Sequence, residues 1–196
     1  MARRNAGSIE RQGAIEQVLA IPIETHRLII RQFEPDDWAA MYEYASDPQV
    51  MAYIPEGQFT QAQARAFVAK NVGEHAKEFA VMLKDEGKLI GHMVFHPWFA
   101  PRTHEIGWVF HRAHQGKGHA TEAALALLDY GFRVLKLHRV IATCQPENPA
   151  SYRVMIKIGM RREGHFQECI YRGDDQWWDE YFYAVLEKDW FKTEGE

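Results

Sequence analysis

The sequence predicts an α/β (α+β) domain, a sheet flanked by helices, and three observations carry that expectation. Runs rich in branched and aromatic residues recur at positions 24–33, 78–83, 89–96, 105–110, 138–144, 160–171 and 177–186, about seven strands bounded by turn residues. The pair at 78–83 and 89–96, joined by Asp85-Glu86-Gly87-Lys88, reads as a hairpin. One strand pattern, His104-Glu105-Ile106-Gly107-Trp108-Val109-Phe110, runs toward Gln115-Gly116-Lys117-Gly118-His119-Ala120, and a long helical pattern leaves that loop. The helix carries Ala120, Ala123, Ala124, Leu127, Leu128, Gly131, Phe132 and Leu135 on one stripe, opposed by Glu122, Asp129, Arg133 and Lys136.

In chain order, residues 1–20 read as an N-terminal arm, frayed or with a short helix around Ile15, Val18 and Leu19. Arg3-Arg4 are followed by Glu10 and Glu16 without an apolar segment, which argues against a secretory signal. Residues 21–196 read as a single domain. The strand at 24–33 centres on Leu28, Ile29 and Ile30. Glu34-Pro35-Asp36-Asp37 then suits a helix start, with proline in the first turn and acids at the positive end of the helix dipole. That helix uses Trp38, Met41 and Tyr42. Asp47-Pro48 and Ile54-Pro55-Glu56-Gly57 break the chain. Thr60 is an N-cap for a second helix with Ala64, Phe67, Val68 and Val72 on one side. Residues 97–101 form a loop holding Trp98 and Phe99. After the strand at 138–144, Asn148-Pro149 reads as a cap followed by proline at the first helical position, with Val154, Met155 and Ile158 inward and Gly159 ending the helix. Gly173-Asp174-Asp175 turns between the last two strands.

Composition removes several function classes. A formal net charge of −4 argues against a general nucleic-acid binder. Two cysteines, Cys144 and Cys169, make no disulfide framework, and Cys144 in a strand packs as a small apolar residue; this suits a reducing cytoplasm. No apolar run approaches the ~20 residues that cross a bilayer.

The loop at 115–120 points to an anion. Glycines at a strand-to-helix junction bring backbone N–H groups close to a ligand, and the first helical turn adds unpaired donors and partial positive charge. Lys117 and His119 can add charge. The loop lacks the Gly-Lys-Ser/Thr of a nucleoside-triphosphate loop and the third glycine of a dinucleotide fingerprint. Among the histidines, His111 and His114 are three apart and His96 and His104 flank one loop, but no His-x-x-x-His or cysteine partner supports a metal site, and none is expected.

The order strand, glycine loop, long helix, strand, Asn-capped helix, strand pair resembles the GNAT superfamily of acyl-CoA N-acyltransferases. Gln115-Gly116-Lys117-Gly118-His119-Ala120 fits its Gln/Arg-x-x-Gly-x-Gly/Ala signature, Glu105-Ile106-Gly107-Trp108 the preceding strand, and Asn148-Pro149-Ala150-Ser151 with Val154, Lys157 and Gly159-Met160 the later helix. Thr25-His26-Arg27-Leu28 and the stretch from Trp178 to Tyr183-Ala184 resemble the RimJ/RimL branch, which acetylates ribosomal-protein N-termini. The resemblance covers about residues 22–190. It implies a mixed, mostly antiparallel sheet, splayed between the strands at 105–110 and 138–144, with helices on both faces. It implies acetyl-CoA as co-substrate. The pantetheine arm would pair with the backbone of the stretch Val109, Phe110, His111, through Val109 and His111. The diphosphate would rest on the N–H groups from Gln115 through Gly116, Lys117, Gly118 and His119 to Ala120, with the Thr121 hydroxyl.

Acyl transfer from a thioester to an amine needs a deprotonated amine, donors for the tetrahedral oxyanion and a proton or donor for the departing sulfur. Ser151, on the first turn of the Asn148 helix, is the candidate donor to sulfur, with Tyr152 the neighbouring alternative. Asn148 caps its helix or bonds the pantetheine arm. Arg153 and Lys157 face either the adenosine phosphates or solvent. Glu105 and Glu168 are the candidate bases, if burial lifts their pKa; bulk solvent is the third possibility. Trp98, Phe99, Trp108, Trp177, Trp178, Tyr53 and Tyr171 divide between core and the walls of an acceptor slot. Asp174, Asp175, Asp179 and Glu180 can attract a cationic amine, or be solvated. The acceptor is a peptide N-terminus or a small amine; a non-catalytic acyl-CoA sensor is the rival reading. A free edge strand and the aromatics leave room for a homodimer.

Overall fold

The computed structural model describes residues 21–192; the expected arm at 1–20 and the domain's end at 193–196 lie outside the described residues. The sheet has eight strands in the order β1-β2-β3-β4-β5-β6-β8-β7. These are β1 (Ile23–Glu24), β2 (Leu28–Arg31), β3 (Glu78–Leu83), β4 (Lys88–Pro97), β5 (Thr103–Phe110), β6 (Arg139–Cys144), β7 (Arg161–Gly173) and β8 (Gln176–Leu186). The eighth strand arises because the run at 24–33 is broken by a turn, in which Leu28 N–H donates to the Thr25 hydroxyl and Thr25 N–H donates to the Leu28 carbonyl, both at 2.9 Å. Neighbouring strands pair antiparallel except β5 and β6, which run parallel.

The helices are α1 (Trp38–Ala45), α2 (Gln61–Lys70), α3 (His119–Arg133), α4 (Pro149–Lys157) and the short α5 (Glu187–Trp190). Their caps follow the sequence. Thr60 accepts from Gln63 N–H in a capping box, and Asn148 Oδ1 accepts from Ser151 N–H at 3.2 Å with Pro149 behind it. Asp174 and Asp175 both take positive φ between β7 and β8, the backbone that a two-residue hairpin turn requires. Val72 departs from expectation: it lies past the end of α2 and is exposed.

Two cores cover the two faces of the sheet. On one, the stripe of α3 (Ala123, Ala124, Leu127, Leu128, Phe132) and Met155 of α4 pack on Met93, Phe95, Ile106 and Val140. On the other, Met41, Tyr44 and Ala45 of α1 with Ala64 and Val68 of α2 pack on Phe33, Ala80, Leu89 and Val109. An eighteen-residue apolar helix is absent from the described residues, so no described helix is long and apolar enough to cross a membrane.

The feature that positions the site is where the sheet stops being a sheet. β5 and β6 pair from Thr103↔Arg139 to Glu105↔Ile141 and then part, although β5 runs on to Phe110 and β6 to Cys144. Beyond the gap, the chain leaves β5 for α3 and β6 for α4, so two helix N-termini flank the open end. Gly91 of β4 supports the free half of β5: a Cβ there would lie 2.4 Å from the Val109 carbonyl oxygen and 2.9 Å from Phe110 Cα. Gly91→Ala therefore forces β5 backbone to move. The expected loss is about 1–3 kcal/mol, read as a lower melting temperature with weaker coenzyme binding in the same variant.

Candidate active site

At the mouth of the gap the loop makes the sharp turn that its glycines suggested. Gly116 and Gly118 take φ of 71° and 82°, and Gly118 is the N-cap of α3. Left-handed residues on either side of Lys117 are the kind of turn backbone that forms a nest, a concavity lined by successive N–H groups. Among the described residues, the backbone N–H groups of Gly116, Lys117, Gly118, His119, Ala120 and Thr121 have no acceptor in the protein; the first N–H of α3 with one is Glu122, bonded to the Gly118 carbonyl. The surroundings are electropositive: burial lowers the pKa of His114, and repulsion from Lys117, Lys88, His111 and His119 lowers it further.

Two residues of the loop do something other than expected. The Gln115 N–H is donated to the Arg112 carbonyl at 3.2 Å, and its side-chain amide donates to the Phe110 carbonyl at 2.9 Å. Gln115 thus ties the loop to the end of β5 instead of offering its amide to a ligand. The His119 ring is buried against the His114 carbonyl, 3.2 Å away, so only its backbone faces the concavity. Lys117 is exposed.

The pairing expected of Val109 and His111 shifts by one residue. His111 donates its N–H to the Ile90 carbonyl and accepts from His114 N–H, both at 2.8 Å. With β4 and β5 in register Gly91↔Phe110 and His92↔Val109, backbone groups alternate sides along the strand. Val109 and His111 therefore turn theirs to β4, while Trp108 and Phe110 turn theirs to the gap. The Val109 side chain belongs to the α1/α2 core.

A clamp that the sequence did not announce holds the loop. The Glu122 carboxylate, on the first turn of α3, accepts from the Thr25 hydroxyl (2.6 Å), Arg27 N–H (2.8 Å) and Arg27 Nε (2.6 Å). Arg27 Nη1 donates to the Lys117 carbonyl at 2.9 Å. Burial pushes the Glu122 carboxyl up, but the Thr25 and Arg27 donors outweigh it and leave its pKa below the ordinary value of 4.5. The clamp's stability is therefore fully present above that ordinary value and is lost as pH falls through the lower folded one. Glu122→Ala leaves three donors without their acceptor. The half-exposed site limits the cost to about 1–3 kcal/mol, measurable in a denaturant titration at pH 7, with the difference from wild type shrinking in acid.

Across the gap, Asn148 is spent at least in part on its cap. Ser151 is half-buried on the first turn of α4, and Cys144 ends β6 with a thiol whose pKa burial pushes up to about 11. The Tyr152 ring lies 6.1 Å from that of Tyr181. Arg153 and Lys157 are exposed on α4, and Thr121 is half-buried.

The two candidate bases have different surroundings. Glu105 is the last residue of β5 paired to β6, at the fork itself. Burial pushes its carboxyl up, with His96 opposing and Glu180 adding to the rise; His96 Nε2 is 4.0 Å away. Glu168 lacks the burial its role required: it is exposed at a bulge of the edge strand β7, with φ of 46° and its N–H on Asp179 Oδ1 at 2.8 Å. Asp179 is also bonded to His165 at 2.7 Å, which leaves Glu180 as the member of the acidic group facing Glu105. Of the aromatics, Trp98 stacks near Phe182 and Tyr53 near Trp178, while Phe99 and Tyr171 are exposed. Cys144 and Cys169 are free thiols. Among the described residues, no group of three or more His, Cys, Asp or Glu is arranged to hold a metal ion.

A sheet that opens at its one parallel pair onto unbonded helix-start amides is the architecture that the GNAT resemblance implied. Comparison with known proteins bears this out: the profile of the acetyltransferase (GNAT) domain family matches residues 27–161. The chain belongs to that family and is an acetyltransferase. It is similar to the "Uncharacterized N-acetyltransferase YnaD" of Bacillus subtilis (strain 168), at 61% identity over 86% of this chain and 98% of that one. It is also similar to the crystal structure of an acetyltransferase (GNAT family) from Bacillus anthracis, with a TM-score of 0.81 and 58% identity over 85% of this chain and 98% of the other. At greater distance, it is 29% identical to the Escherichia coli (strain K12) [ribosomal protein uS5]-alanine N-acetyltransferase, over 91% of this chain and 97% of that one.

Proposed function

We propose that this acetyltransferase moves the acetyl group of acetyl-CoA onto a cationic primary amine by direct attack through a tetrahedral intermediate. The observation that carries this is the opening of β5 from β6 onto the unbonded amides of residues 116–121. The diphosphate rests on those amides, with the Thr121 hydroxyl and Lys117 beside it. The pantetheine arm lies in the gap against the backbone of Trp108 and Phe110. The Asn148 side-chain NH2, which its cap does not use, and Arg153 stand on the opposite bank.

The thioester then lies near the fork. Glu105 takes the ammonium proton through water, its basicity raised by burial. The amine lone pair forms the new C–N bond, the tetrahedral intermediate collapses, and the C–S bond breaks. Ser151 supplies the proton or hydrogen bond to the departing sulfur, with Tyr152 in reserve. Alignment of the two substrates supplies much of the acceleration, so no covalent enzyme intermediate is needed.

Glu105 and Glu180 favour an acceptor that arrives protonated, either a peptide N-terminus or a small amine. The RimJ/RimL reading adds the ribosomal-protein type, supported by the Escherichia coli relative's name and by Thr25 and Arg27. Free cysteines fit action in the cytoplasm. The unpaired edge of β7, with Phe166 and Tyr171 exposed on it, favours a homodimer. A thiol-release assay with acetyl-CoA and a panel of N-terminal peptides, polyamines and aminoglycosides tests the proposal. Turnover of one amine class supports it; coenzyme binding without turnover of any amine overturns it in favour of the sensor.

A further inference from the structure

Beyond the fork, part of one face of the sheet lies outside both cores. The register places Glu105 of β5, Ile141 and Thr143 of β6, and Trp178, Glu180 and Phe182 of β8 on the side of Val109, which is the α1/α2 side. The α1/α2 core takes in no residue of β6, β7 or β8. Yet Ile141 and Ala184, which pair with each other in the row of Glu105, are both 0% exposed and belong to neither core. Their cover comes from the loop between β4 and β5. That loop stands on the far side of β6 from β8, but its Trp98 ring reaches to 5.5 Å from the ring of Phe182, so it crosses this face above β6.

Trp98 and Phe182 form one wall of a slot. The other is Trp178, four residues back along β8 on the same face, roughly 13 Å away. Tyr53, of the loop between α1 and α2, backs that wall: its ring is 6.4 Å from that of Trp178, and its hydroxyl donates to the Glu147 carbonyl at 2.7 Å. Glu180 lies between the walls on β8, and Glu105 stands across β6 from it. A flat ring between the walls would sit about 4.5–7 Å from each, the range in which aromatic rings pair, with its ammonium between the two carboxylates. A guanidinium already stands over each wall, that of Arg139 5.9 Å from the Phe182 ring and that of Arg172 3.7 Å from the Trp178 ring. Arg139 is held by Glu163, which Arg161 also pairs with, and Arg172 Nη1 donates to the Pro55 carbonyl at 3.2 Å. The slot is therefore anionic in its middle and carries a cation at each wall. A single ammonium beside an apolar body matches this pattern, while the second ammonium of an extended polyamine would meet Arg139 or Arg172.

We infer that the acceptor carries one ammonium next to an aromatic ring or a comparably large apolar group, that Trp98, Phe182 and Trp178 select this body, and that Arg139 and Arg172 turn polyamines away. The inference rests on the acetyl-transfer reading proposed above and narrows its acceptor. The rings supply the attraction by taking apolar surface out of water. The guanidiniums supply the discrimination by opposing the wrong partner. Two sources share the selected chemistry, a free arylalkylamine and a peptide whose first residue is aromatic.

Thiol release at saturating acetyl-CoA, with 2-phenylethylamine, the tripeptide Phe-Ala-Ala, n-butylamine and spermidine as acceptors, tests it. The better of the two phenyl-bearing amines should exceed n-butylamine in kcat/KM by about tenfold or more, and spermidine should fall below n-butylamine. A lead for the tripeptide assigns a peptide N-terminus, and a lead for 2-phenylethylamine a free amine. Trp98→Ala should cut the ratio of the phenyl-bearing amine to n-butylamine by about tenfold, mainly through KM. Phe182→Leu keeps apolar bulk in place of the ring and should cut the same ratio by a smaller factor. Arg172→Glu should raise spermidine relative to n-butylamine by about tenfold. Spermidine turned over as well as the phenyl-bearing amines, wild-type ratios in both ring variants, or no gain for spermidine in Arg172→Glu each overturn the inference and leave acetyl transfer intact. Wild-type protein that turns over no amine removes both.

Discussion

Gly118→Asp is expected to weaken coenzyme A binding by about 10²–10³-fold, since a like charge set against a ligand costs several kcal/mol. Gly118 stands at φ of 82° as the N-cap of α3, and a Cβ added there would lie 3.4 Å from Arg27 Nη2, an ordinary contact. Asp and Asn both tolerate the left-handed conformation better than other side chains. The left-handed backbone strains Asp and Asn alike, so the substitution adds a carboxylate to the cradle at a conformational cost that both variants share, and pairing with Arg27 would hold that carboxylate where the diphosphate belongs. Gly118→Asn has the same shape without the charge and should bind at least tenfold more tightly than Gly118→Asp. Calorimetric titration of both variants with coenzyme A separates charge from shape. Equal losses would place the diphosphate elsewhere.

The second large effect is at the fork. Glu105→Gln should lower kcat by about 10² while leaving acetyl-CoA binding within about twofold, because the carboxylate acts on the amine and not on the cofactor. Burial has raised the Glu105 pKa, so activity should grow as pH rises and the carboxyl deprotonates, and this variant should lose its own part of that dependence. Glu168→Gln is the control. Its side chain is exposed on the edge strand and separated from β6 by β8, so kcat should be unchanged. Steady-state rates at saturating acetyl-CoA decide between the two carboxylates.

Local chemistry was legible where one segment determines it. The stripe of α3, the Thr60 and Asn148 caps and the Gly116/Gly118 turn each depend on residues a few positions apart, and each stands as the sequence indicated. The backbone direction of β5 was not legible. Whether Val109 or Phe110 faces the gap depends on the register against β4, set by the bond from His111 N–H to Ile90, and a slip of one residue reverses every group. A parity check on the partner strand is the signal that would have favoured Trp108 and Phe110.

The clamp and the buried pair of His92 with Tyr44, 2.8 Å apart, were hidden for another reason. Thr25 and Arg27 meet Glu122 from about half the chain length away, and on α3 Glu122 reads as one more charge opposite the apolar stripe. Its place on the first helical turn after the glycine loop was the available hint. His92 and Tyr44 come from two separate elements, β4 and α1. β4 is buried on both faces over much of its length, so it shows no alternation that would mark His92 as the inward polar residue. The His119 side chain reads as a charge that the loop can add only because a sequence does not show which way a side chain turns.

The central claim is that the parted strands and the amides at the start of α3 hold coenzyme A, and a crystal structure of the coenzyme A complex tests it most directly. The account predicts diphosphate oxygens within about 3 Å of the N–H groups of residues 116–121, with the pantetheine amides bonded to Trp108 and Phe110 and the sulfur between Glu105 and Ser151. A diphosphate bound away from that loop, or a pantetheine arm lying outside the gap between β5 and β6, would contradict it.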